Sequence, residues 1–451
     1  MALSNSAQLS LSTSSSLLID GGNLGLGDQS TLSSSASHIE VRSGSASFDG
    51  SSMATLGPMS TLNVTGGNVA LYSSSHVSIA QQSIMTVNGG SLTGVGQSVL
   101  SIGSGSVGQI AGGNVTFGQS ATMQVIDWSN TTVSSGSVTF VDSSSLLISN
   151  NSRFIVTGGS VSFLLNNTIT IGVGSVFGVT GGNVYLAGSV NLHFAGGTAF
   201  AQNGSLIVGG QSALRLVDAE YVINGGNFSF SSTATVSLTR SILNVQVGGI
   251  SLSNGTMSAT NQSQVIVSGG SLALLNSNFQ SSMSSVTITQ GGVSLAGSSV
   301  FTTANSSTVS VQGGSLTMAN TALMSVQQGA SVSVSGGSVT ATDQASMTFD
   351  SNSSLSVSAG SMTLGSQSSA SFSQSQFSVS GGNFVTGGQA TVSMSQSSMG
   401  SISGGSVSIG GGSVMQLASN SMVNVTGGNF VFSSTATLSL GPTSGISVQG
   451  G

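Results

Sequence analysis

The sequence predicts an all-β fold, a single right-handed parallel β-solenoid (β-helix) built of triangular coils. Three observations predict it. Glycines recur along the whole chain with a period of about 22–23 residues, as in an array of stacked units. Each period holds three short stretches in which apolar and polar residues alternate. One slot per period is almost always β-branched.

The period is set by glycine marks at Gly22, Gly44, Gly67, Gly90, Gly113 and Gly136, and so on to Gly428 and Gly451, with nearly even intervals throughout. A period this constant marks a repeat array. It leaves no place for a linker, so residues 1–451 are expected to form one continuous array of about twenty coils without caps. Within one period, Val339 and Ala341 alternate with polar neighbours, then Ala345, Met347 and Phe349, then Leu355 and Val357. Alternation with period two marks half-buried strands. Three strands of about five residues and three corners make one triangular coil.

The slot three positions before each mark runs from Ile19, Val41, Val64 and Val87 to Val425 and Val448, and Ala201 alone is not β-branched. Stacking puts these side chains in one interior ladder, where branched residues pack well. The paired glycines suit a sharp corner, because glycine adopts positive φ without a Cβ clash. Pro58 and Pro442 both fall at the corner before the third strand, where a missing ladder donor costs least. The coil length is not a multiple of six, which argues against the left-handed hexapeptide solenoid. The handedness of parallel β crossovers then gives a right-handed coil. At about 4.8 Å per coil, twenty coils span roughly 95 Å. The rival fold, a transmembrane barrel, needs two ~10-residue alternating stretches per period and aromatic girdles. The chain has three shorter stretches, and its aromatics look scattered.

Composition excludes several functions. Only 3% of the residues are charged, the net charge is −6, and the cations are Arg42, Arg153, Arg215 and Arg240, with no lysine. Nucleic-acid binding needs a basic surface. Without cysteine there is no disulfide scaffold and no thiolate zinc site. No apolar run reaches the ~20 residues of a membrane-spanning helix. Residues 1–22 carry no basic, continuously apolar leader. No cofactor, catalytic or metal-binding residue is expected. His38, His76 and His193 are far apart, the ten carboxylates are spread along the chain, and the one nearly stacked acidic pair, Asp28 and Asp49, reads as a solvated corner.

Residues one period apart should meet on adjacent coils. Asp20 and Arg42 share a slot, as do Asp218 and Arg240, giving two inter-coil ion pairs; His193 and Arg215 share another. Twelve N-x-S/T sequons, at Asn63, Asn114, Asn130, Asn150, Asn166, Asn203, Asn227, Asn254, Asn261, Asn305, Asn352 and Asn424, all fall outside the inward slots and are candidates for N-glycosylation.

With three short strands, a Gly-Gly-Asn-Val corner as at 66–69, and this coil length, the chain resembles the β-solenoid shafts of filamentous-haemagglutinin-type adhesins and autotransporter passengers. The resemblance covers essentially the whole chain and implies the fold. It carries over no functional residue, and the family's secretion, barrel and cap domains are not recognisable here. The functional expectation is a non-enzymatic structural protein, a glycosylated extracellular filament, fibre or surface coat. Its partner is itself, stacked head to tail, because the sequence begins in phase at Met1 and Leu3 and stops on a glycine mark. The alternative is the rigid shaft of a cell-surface adhesin whose tip lies elsewhere. A polysaccharide-active β-helix enzyme is the minor alternative, lacking the paired carboxylates that such chemistry needs.

Overall fold

The computed structural model describes residues 1–433 and 435–449. Among these described residues there is no helix, and the parallel strands stack as a β-solenoid of about 19 turns. The last expected mark, Gly451, lies outside the described residues. The chain divides into two compact units, one of residues 1–229 with 233–235, the other of residues 230–232 with 236 onward.

The first unit shows how a coil is made. Its coil after Gly67 has strands at Asn68–Leu71, His76–Ile79 and Ile84–Val87. The inward residues Val69, Leu71, Val77, Ile79, Met85 and Val87 are all at most 2% exposed. Each strand pairs in parallel with its counterpart one coil away on either side. Asn68 stands opposite Ser45 and Ser91, and Val87 opposite Val64 and Ile110. The pairing offset equals the glycine period, because a slip of one position would turn every apolar side chain outward. The second unit follows the same rule. Val311 pairs with Ile288 and Val334, and Val334 with Val357. The shorter coil between Val267 and Ile288 is absorbed without loss of the ladder. The β-branched slot is buried in both units from Ile19 to Val425; Val448, on the last described turn, is exposed.

Three features depart from expectation. Corner glycines are required for space as well as for φ. Gly44, Gly89, Gly136 and Gly360 do adopt positive φ, but Gly67, Gly90 and Gly113 do not. A Cβ on Gly90 would instead sit 2.3 Å from the Gly67 carbonyl oxygen and 2.7 Å from Val64 Cγ1. The coils are closest at this corner, and any side chain would force them apart. Here the strand can run through the corner unbroken, as in Val107–Phe117 and Asn130–Val141.

The aromatics, scattered in sequence, are gathered in space. Phe117, Phe140 and Phe163 occupy one slot of three successive coils and stack with ring centroids 5.2 and 4.6 Å apart; Phe279 and Phe301 stack at 4.7 Å in the second unit. Ring stacks of this kind add to the burial they bring.

Much of the serine points inward. Ser37, Ser60, Ser83, Ser106, Ser129, Ser152 and Ser175 are fully or nearly buried at the corner entering the third strand. The Ser60 amide donates to Ser83 Oγ at 3.2 Å, and the Ser83 amide to Ser106 Oγ at 3.2 Å. Ser83 Oγ in turn donates to the Ala80 carbonyl at 2.7 Å. The hydroxyl ladder thus supplies acceptors for corner amides inside the solenoid, which matters because buried N–H groups must be paired. In the second unit Ser284 and Ser307 repeat the link at 3.2 Å.

Candidate functional site

Chemistry-bearing side chains lie on outward strand positions or at corners, and no charged residue is buried among the described residues. Their densest gathering is on the strand His38–Val41, whose outward face presents His38 and Glu40, with Arg42 just beyond. Arg42 Nε donates to Glu40 Oε1 at 2.9 Å, and His38 Nε2 lies 3.7 Å from Glu40 Oε2. The hydrogen bond from Arg42 holds the Glu40 carboxyl below its ordinary range, and the same bond raises the Arg42 guanidinium.

The expected Asp20–Arg42 pair is therefore superseded. Arg42 turns along its own strand to Glu40, and Asp20 attracts it only through space while accepting from Ser43 Oγ at 2.7 Å. The nearer carboxylate wins because a hydrogen-bonded contact outweighs a screened one. Asp218 lies in the first unit and Arg240 in the second. Both occupy left-handed corner positions.

His193 and Arg215 do stand opposite each other on adjacent strands. Burial, and after it the Arg215 charge, lowers the His193 pKa. Asp28 and Asp49 do not stack. The residue above Asp28 is Gly50, whose Cβ would meet the Asp28 backbone at 3.0 Å. Asp49 accepts from Ser73 Oγ at 2.8 Å and from the Gly50 amide at 2.6 Å, and these bonds lower its pKa. Among the described residues no three His, Asp or Glu side chains gather around a common point that could hold a metal ion. No helix there is long and apolar enough to cross a membrane.

All twelve sequon asparagines are outside the core. Asn63 is half-buried and the others are exposed. They fall into two groups. Asn63, Asn114, Asn130, Asn227 and Asn424 lie within strands. Asn150, Asn166, Asn203, Asn254, Asn261, Asn305 and Asn352 occupy corners with φ between 53° and 65°. Asn is one of the few residues that tolerate this region.

A concavity in the second unit was not foreseen. It has a volume of about 600 Å³ and crosses the first corner of four successive coils, where Gln344, Gln367 and Gln389 recur beside Asn320 and Asp343. The recurrence of glutamine once per coil was visible in the sequence. A single polar residue at a corner carries no sign that it lines a groove. No known protein family and no curated protein matches this chain.

Proposed function

We propose that this chain is a structural protein whose coils stack with those of further copies into an extracellular filament, fibre or coat, with N-linked glycans on its outward sequons. One observation carries the reading. The two faces of a coil are complementary to each other, since the strand Asn68–Leu71 takes Ser45–Phe48 on one side and Ser91–Gly94 on the other in the same register. A coil face of one copy therefore offers what a coil face of another requires, namely a row of unpaired N–H and C=O groups over an apolar interior. Such a contact is heterologous and propagates instead of closing. The exposure of the sequon asparagines supports the extracellular and glycosylated part of the reading.

The test is negative-stain electron microscopy of the purified chain over a concentration series, with mass analysis before and after glycosidase treatment. Fibres that lengthen with concentration are expected, along with mass lost to the glycosidase. Discrete particles at all concentrations would overturn polymerisation and favour the shaft of an adhesin. An unchanged mass would remove the glycans from the reading.

A further inference from the structure

The corner groove of the second unit has the character of a ligand site, and its lining is periodic. Gln344, Gln367 and Gln389 each follow a residue in the left-handed region, namely Asp343, Ser366 and Gly388 with φ of 61°, 51° and 59°. Gln344 and Gln367 leave their corners in the same way, on coils about 4.8 Å apart. Gln389, itself left-handed with φ of 67°, ends the row one coil further on. The supporting backbone is fixed by the ladder. The Gln344 amide donates to the Asn320 carbonyl at 3.0 Å, the Gln367 amide to the Asp343 carbonyl at 2.8 Å, and the Gln389 amide to the Gly411 carbonyl at 3.0 Å. Gly388 lies close against the coil before it, where a Cβ would sit 2.6 Å from the Ser366 nitrogen.

We infer that this groove binds a neutral, extended β-linked glycan, one sugar per coil. The chemistry fits a hydroxyl-rich polymer. A primary amide presents a donor and an acceptor side by side, and a carboxylate accepts at both oxygens. Asp343 is the one charged group in the groove, and it already accepts from the Asn320 amide at 3.3 Å. Its sign works against anionic polysaccharides and nucleic acids. The spacing selects among neutral polymers. A sugar of an extended β-linked chain advances by nearly one coil, so successive units meet successive glutamines. A peptide strand advances about 3.3 Å per residue and loses phase within a few coils. Because the rungs are rigid, binding orders only side chains. No aromatic ring lines the groove, so the affinity is low and grows with the number of sugars held. This inference does not depend on polymerisation of the chain.

The test is titration calorimetry of the whole protein with cellobiose, cellotetraose and cellohexaose, and with maltohexaose as a coiled α-linked control. Affinity is expected to rise from the disaccharide to the tetrasaccharide and then level off, with maltohexaose at least tenfold weaker. The double variant Gln344→Ala/Gln367→Ala should weaken cellohexaose binding about tenfold or more, since two amide contacts are lost. Gln97→Ala, in the same slot of a corner in the first unit, should leave binding unchanged. No binding, equal affinity for all chain lengths, or equal binding by maltohexaose would each overturn the inference using the unaltered protein alone. Unchanged binding by a double variant with wild-type melting would overturn it too.

Discussion

At Val133 the side chain is fully buried, between Ile110 and Val156 on adjacent coils. Val133→Asp puts a carboxylate where nothing can pair with it, and a loss of several kcal/mol is expected. A melting temperature equal to wild type would contradict the ladder. Gly90→Ala should be nearly as damaging although φ is permissive there, because the added Cβ meets the Gly67 carbonyl and Val64; a stability loss above about 1 kcal/mol in a denaturant titration is the expected result. Ser83→Ala takes an acceptor from the Ser60 amide and should cost about 1–3 kcal/mol. The valine slot was legible because apolar identity and burial go together. The serine ladder was not, since a hydroxyl in a corner reads as solvent-facing. Its signal was constancy. Ser15, Ser37, Ser60, Ser83, Ser106, Ser129, Ser152 and Ser175 occupy one slot without a break, whereas the position before it varies from Ala36 and Met59 to Gln82, Trp128 and Asn151. Glycine was legible for a partly mistaken reason, since the sequence marks the need for a missing side chain but not whether torsion or space imposes it.

Strands and corners have different exposures to solvent chemistry. Each arginine belongs to a strand or directly follows one. The Arg42 amide donates to the Ile19 carbonyl at 2.9 Å, and the Arg153 amide to the Ser129 carbonyl at 2.9 Å. Ladder-bound backbone does not enter a protease cleft without local unfolding. Native protein should therefore resist trypsin for hours under conditions that digest the urea-unfolded chain, as followed by gel. Cleavage at Arg153 or Arg215 in native protein would show that the strands open. Outward strand positions also set a pH response. His76, half-buried between Met53 and Val99, is lowered by burial, and His193 by burial and Arg215. A histidine with a depressed folded pKa binds its proton more readily when unfolded. On the histidines' account stability is thus flat from about pH 7 upward, until tyrosine ionises in the unfolded chain near pH 10, and declines as the pH falls through the unfolded histidine value near 6.5. His76→Gln should flatten part of the slope between pH 7 and 5 in a melting series. An unchanged slope would show that His76 does not contribute. At this scale the strands were legible from alternation. The pairing of Arg42 was not, since two carboxylates lay within reach and only side-chain geometry chooses between them.

Across the molecule, attraction between charges contributes little, because only fourteen side chains are formally charged, four basic and ten acidic. Melting should shift by only a few degrees between about 0.01 and 0.5 M salt, where screening would remove any surface ion-pair stability. A large shift in a calorimetric scan would reveal an electrostatic contribution that the contacts do not contain. The repeat was the most legible property of the chain, since it is written about twenty times. The division into two compact units was not, because the glycine marks continue through it at nearly even intervals.

The fixed register also governs how such a chain can change. One coil is a relative sequence separation of about 0.05 of the chain, as local as in helical bundles despite the all-β architecture. Coils can form one after another during synthesis, each using its predecessor as template, with no wait for distant segments. The same register makes the coil a unit of insertion and loss. Because Ser45 and Ser91 pair with the same residue, Asn68, removal of residues 68–90 would join two strands that already match. A gene of this design lengthens or shortens by whole turns without disturbing its core. Loss of a single residue within a strand inverts that strand's inward and outward faces.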